Sequence, residues 1–220
     1  MKILDKLGDI EIGSVANMQK LKITYMYVAL GIMLATFGLG VGLAMFPQMS
    51  GWTFAGLFIL EIAVLIYFMF KKDVLSYSLF TFLTGLTLVP VIGSLIGAGL
   101  VGIIFQAFIG TLIIVALLTF YTLTTRKNYL AFRDILFYIL IGVVVISLIN
   151  LFLGNSILSL IISIVVMVLF SFFIIVDTQE VLYTDIDPLI AACSLYLNIL
   201  NMFIALLNIY LLYICCFLIA

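Results

Sequence analysis

SILSLIISIVVMVLFSFFIIVDTQ, residues 156–179, runs from Ser156 to Val176 without a charged side chain. About 20 mainly apolar residues suffice to carry a helix across the roughly 30 Å hydrocarbon core of a bilayer. This stretch therefore reads as a membrane span. Working outward, similar stretches lie near 23–45, 52–70, 75–97, 101–123, 134–153 and 190–217. The sequence thus predicts an all-α integral membrane protein, a bundle of seven transmembrane helices. The breaks between spans have physical causes. Pro47 and Gly51 separate the first pair, and Lys71, Lys72 and Asp73 the second and third. Gly93, Gly97 and Gly99 loosen the junction to the fourth span, a boundary that no charge marks. Arg126, Lys127 and Asn128 end the fourth, Gly154 and Asn155 the fifth, and Asp185, Asp187 and Pro188 the sixth.

Composition agrees. Of the 220 residues, 67% are hydrophobic and 9% charged, against roughly 45–50% and about 25% in soluble domains. The bilayer must be the solvent for most of this surface. A formal net charge of −1 excludes a nucleic-acid binder of the basic-patch kind. Histidine is absent, which removes the commonest general base and metal ligand. Cys193, Cys215 and Cys216 form neither a disulfide nor a zinc framework and read as small packing residues. No cofactor is expected.

Residues 1–22 mix Lys2, Lys6, Lys20 and Lys22 with Asp5, Asp9 and Glu11. They lack the architecture of a secretory signal and read as a short cytosolic tail, with 23–220 as a single membrane domain. All nine Lys and Arg residues fall in this tail, at 71–73 or at 126–133. With seven spans these segments share one side, and the positive-inside rule makes that side, and the N-terminus, cytosolic.

Charges within spans are costly, about 2.5–3.5 kcal/mol at a helix centre on insertion scales. Glu61 lies in the middle of LFILEIAVLIY in the second span; it has either a functional role or a hydrogen bond to another helix. Asp177 lies near the end of the sixth, where the polar run Asp177, Thr178, Gln179, Glu180 also suits a helix end at the water interface. The seventh span carries Tyr196, Asn198, Asn201 and Asn208. Asn198 and Asn201, three apart, share a helix face. Such residues form an interhelical network or a hydrated path. Asp185 and Asp187 are candidates for a cation-gathering cytosolic mouth, or simple turn formers before Pro188. Pro90 in the third span predicts a kink.

The sequence resembles the Bax inhibitor-1 family of membrane proteins. The resemblance rests on FILEIAVLI around Glu61, FTFLTGLTLVPVI in the third span, LTFYTLTTRKNYLAF ending the fourth, ISLINLFL in the fifth, FSFFIIVDTQEVL in the sixth and AACSLYLNILNMFIALL in the seventh, in the family's order. It implies a bundle whose seventh helix is central. It implies a pH-sensitive calcium leak attributed to two aspartates, one ending the sixth helix and one in the seventh. Other members are described as regulators of cell death or of a membrane-bound protease. Asp177 matches the first aspartate, but Asn198 stands where the family usually has the second. Two neighbouring carboxylates share a proton; an Asp–Asn pair cannot, so a weaker or shifted pH response is expected. The resemblance also implies a basic latch near the end of the second helix, for which Lys71 or Lys72 is available.

Two functions compete on this reading. One is a passive cation leak, calcium above all, through sites that supply only oxygen ligands. The other is a regulator that binds other membrane proteins without conducting ions. An intramembrane protease is disfavoured: histidine is absent, and Asp177 has no second catalytic aspartate. The expected surroundings are the lipid bilayer, with a bacterial inner membrane favoured and the endoplasmic reticulum or Golgi the eukaryotic equivalent.

Overall fold

The computed structural model describes the backbone of residues 2–45 and 50–217, and the side chains of 17–45 and 50–214. Among these there is no strand. The helices are α1 (Lys2–Met45), α2 (Gly51–Lys71), α3 (Val74–Thr87), α4 (Val89–Gly97), α5 (Val101–Thr124), α6 (Arg133–Leu153), α7 (Ser156–Tyr183) and α8 (Pro188–Phe217), with a 3-10 turn at Leu130–Phe132 before α6. Seven segments are long and apolar enough to cross a membrane, α3 and α4 together making the third. The first lies within α1, covering Asn17–Met45 of the residues whose side chains are described. The last is the most enclosed of the seven. Pro47, and the side chains of Cys215 and Cys216, lie outside the described residues. Cys193 is buried and free.

The helices cluster into two compact units, Met1–Ser94 with Glu180–Tyr196, and Leu95–Gln179 with Leu197–Ala220. In the first, α1 packs on α3 backbone to backbone. A Cβ added at Gly85 would strike the carbonyl of Ala35, and one at Gly38 the carbonyl of Phe82. Small residues at such crossings let helices approach where no hydrophobic force drives them together. Gly31 leaves room for the Tyr77 ring, whose hydroxyl donates to the Tyr27 carbonyl at 3.0 Å. Two residues join α2 to α3. Lys72 takes the left-handed conformation (φ 53°) and its N–H bonds the Phe68 carbonyl, while Asp73 caps α3 through the Ser76 N–H at 2.7 Å, the usual chemistry of a stop and a start. The helix is interrupted beside Pro90: α3 ends at Thr87 and α4 starts at Val89, and Pro90 has no N–H to continue the ladder.

In the second unit, the charge-free boundary after α4 is set by glycine. Gly99 is left-handed (φ 76°), its N–H bonds the Ile96 carbonyl, and the Leu100 N–H bonds the Leu95 carbonyl. This is a Schellman termination. Helices α6 and α7 pack through Leu136, Val143, Leu169 and Val176, a seven-residue spacing on each that makes a coiled-coil-like seam. Gly154 (φ 63°) ends α6, and the Asn155 side chain accepts from the N–H groups of Ile157 and Leu158 to start α7.

Candidate polar site on α7 and α8

Every residue from Ile174 to Gln179 is buried. Six consecutive residues cover all sides of a helix, so this part of α7 is enclosed all round. Asp177 is 3% exposed and lies more than a turn before the helix ends at Tyr183. It is therefore neither the last residue of its helix nor exposed; of the polar run, Asp177, Thr178 and Gln179 are buried and Glu180 is partly exposed. Asn198 on α8, 6% exposed, donates from Nδ2 to Asp177 Oδ2 at 2.6 Å. A hydrogen bond to a carboxylate is short and strong, and in this low-dielectric setting it neutralises no charge. The pair can hold α7 to α8 and offer oxygen atoms to a cation.

The other asparagines of α8 do not join it. Asn201 turns its Nδ2 back to the Leu197 carbonyl at 2.8 Å, and Asn208 is exposed. The shared face of Asn198 and Asn201 thus splits into one interhelical bond and one bond within α8.

Beyond Asp177, Gln179 is 1% exposed and grips the connection between α5 and α6. Its Oε1 accepts from the Tyr129 N–H and its Nε2 donates to the Lys127 carbonyl, both at 2.7 Å. One amide satisfies a backbone donor and a backbone acceptor in a segment with no ladder of its own. The Tyr121 and Tyr129 hydroxyls, 2.6 Å apart, tie the same segment to α5.

The family model described as "Inhibitor of apoptosis-promoting Bax1" matches residues 17–213. The chain belongs to the Bax inhibitor-1 family. Similar proteins include an uncharacterized protein of Helicobacter pylori, 40% identical over 196 residues, covering 86% of this chain and 84% of that one. An uncharacterized protein of Campylobacter jejuni is 39% identical over 199 residues, 86% of each. An uncharacterized membrane protein of Vibrio cholerae is 38% identical over 118 residues, 53% of this chain and 50% of that one.

In this Bax inhibitor-1 chain the remaining candidates belong to the first unit. Glu61 is half-buried, and the Thr87 hydroxyl lies 2.7 Å from its Oε2. Lys71 and Lys72 are exposed at the end of α2. Asp185 is exposed, while Asp187 caps α8, accepting from the Leu189 N–H at 2.8 Å, with Pro188 in the first helical position that suits it. The Lys20 ammonium donates to the Thr184 carbonyl at 2.7 Å, where α7 has just ended. Two features escaped the reading of the sequence. Lys20 and Thr184 are 164 positions apart, and no local spacing announces them. Gln179 did leave a signal: three polar residues in succession on one helix cannot share a face, so a buried run of them requires partners on several sides.

Proposed function

We propose that this member of the family is a passive leak for cations, calcium foremost, through the membrane, with the Asp177–Asn198 pair as its controlling contact. The observation that carries the reading is a buried carboxylate whose partner at 2.6 Å is an amide. A buried charge in a membrane helix is costly and usually marks a pathway or relay. Oxygen ligands suit calcium. Among the described residues no three Asp, Glu, Cys or His side chains converge as a metal site, which favours transient passage over storage.

Asn198 also sets this leak apart from the two-aspartate form. Its amide does not titrate, so the contact has one ionisable group where the two-aspartate form has two. We place the N-terminus in the cytosol, because seven spans put all nine Lys and Arg residues on one side, and the membrane as a bacterial inner membrane, in keeping with bacterial relatives. No catalytic role belongs to this reading.

Calcium flux into liposomes carrying the purified chain tests it. Protein-loaded vesicles should fill faster than empty ones, and Asp177→Ala should change the rate. Equal filling of loaded and empty vesicles at every pH from 5 to 8 sinks the proposal.

A further inference from the structure

The first unit holds a second polar cluster, built around a different carboxyl. Glu61 Oε2 lies 2.7 Å from the Thr87 hydroxyl of α3, and that hydroxyl lies 2.9 Å from the Thr84 carbonyl. A hydroxyl carries one proton and two lone pairs. It can donate to the Thr84 carbonyl while accepting from a neutral Glu61, or turn and donate to an ionised one. The Thr84 carbonyl is left satisfied either way, because the Leu88 N–H reaches it at 3.2 Å.

The third member is Tyr196 of α8. It is 2% exposed, its ring sits edge-on to Tyr77 and Phe80, and its hydroxyl has no hydrogen-bond partner. Orphaned buried polar groups are few in folded proteins, and each calls for a reason. The electrostatic neighbours of this phenol include Thr84, Glu61 and Cys193. It is thus an unspent O–H donor within electrostatic reach of the Glu61 carboxyl, though not bonded to it in this structure, and that carboxyl needs donors only when ionised. Among the described residues, the hydroxyls bearing on Glu61 are those of Thr84 and Thr87 of α3; the Tyr196 phenol of α8 lies within its electrostatic reach, with Cys193 near that phenol and the Tyr77 ring edge-on to it.

We infer that Glu61, Thr87 and Tyr196 form a proton-binding site within the first unit, in which the Thr87 hydroxyl turns to serve either state of the carboxyl and the Tyr196 phenol is the second donor to the ionised state. Binding is one proton taken from hydronium by the carboxylate, with water returned. The site stands independently of the leak, since it uses neither Asp177 nor Asn198.

A lipophilic carbodiimide tests it without measuring flux. Dicyclohexylcarbodiimide reacts with a neutral carboxylic acid in an apolar setting. The acid adds across one C=N bond to give an O-acylisourea, which rearranges to a stable N-acylurea with no atom lost. The full chain in liposomes is treated at pH 5 to 8 and the peptides are weighed. The adduct should appear on Glu61 and decline as the pH rises. Glu61→Gln should lose it, and Asp177→Ala should leave its profile unchanged. Tyr196→Phe should retain the adduct to higher pH than the parent chain, because the ionised form has lost a donor. No adduct on Glu61, an adduct yield independent of pH, or a Tyr196→Phe profile superimposed on the parent's would each overturn the inference; the first two need no variant to fold.

Discussion

The Asn198 amide and the Asp177 carboxylate meet at 2.6 Å, both buried, in a hydrogen bond that joins α8 to α7. Replacing Asn198 with Asp puts two carboxylates where one amide now donates. Like charges at that distance cannot both ionise freely, so the pair would share a proton. Asn198→Asp should give a flux that varies roughly tenfold between pH 5 and 8, the effect of about one pK unit of coupling. The parent chain, with one ionisable group at the contact, should vary less. Liposome flux on the two proteins in parallel is the check, and matching pH profiles would remove the pair from control.

Gln179 holds the α5–α6 connection by two backbone hydrogen bonds at 2.7 Å. Gln179→Met keeps the volume and removes both. The two backbone groups are only partly buried, so the cost should fall at or below the low end of the about 1–3 kcal/mol for a fully buried unsatisfied group. The variant should melt earlier in detergent, and protease should cut near Lys127 where the parent resists.

At Gly85 the obstacle to a larger side chain is backbone, the Ala35 carbonyl and the Leu39 N–H of α1. Neither can rotate away as a side chain would. Gly85→Val should therefore exceed the usual overpacking cost of about 1–3 kcal/mol and greatly reduce the folded yield. Gly97→Ala, where an added Cβ meets nothing within 4 Å, is the matched control. Equal yields for the two would show that α1 and α3 do not pack this closely.

Asp73, in the α2–α3 turn, accepts from the Ser76 hydroxyl and N–H, and these bonds hold its carboxyl below the usual carboxylate range. A carboxyl depressed in the folded state contributes stability above its unfolded pKa, and that contribution is lost as pH falls through the folded value. Asp73→Ala should thus lower the melting temperature at neutral pH and make no difference in strong acid. A deficit unchanged on acidification would mean that the cap does not act through its charge.

Much of this was legible in the sequence because the bilayer imposes a length on every span. Runs such as Ser156–Val176 had one reading, and Gly154–Asn155 and Lys72–Asp73 marked turns by their own chemistry. Placement within the bundle was less legible. Hydropathy treats Asp177 as a residue near the end of a run, yet α7 continues to Tyr183 and is enclosed on every side there. The spacing of Asn198 and Asn201 correctly put them on neighbouring positions, but spacing cannot choose between a partner helix and the residue's own backbone, and Asn201 chose Leu197. Long-range pairs such as Lys20 with Thr184 have no local signature at all.

The two-residue link between α6 and α7 bears on how the chain is made. Gly154 and Asn155 satisfy their own helix ends, the Asn150 amide ties across to the Ser159 hydroxyl at 2.7 Å, and the Leu136–Val143 and Leu169–Val176 seam lies between the same two helices. The contacts that join the two helices of this hairpin therefore lie within one contiguous stretch of chain. It can leave the ribosome, close and enter the lipid as a finished pair before α8 and Asn198 have been synthesised, so that Asp177 reaches the membrane ahead of the residue that will hold it.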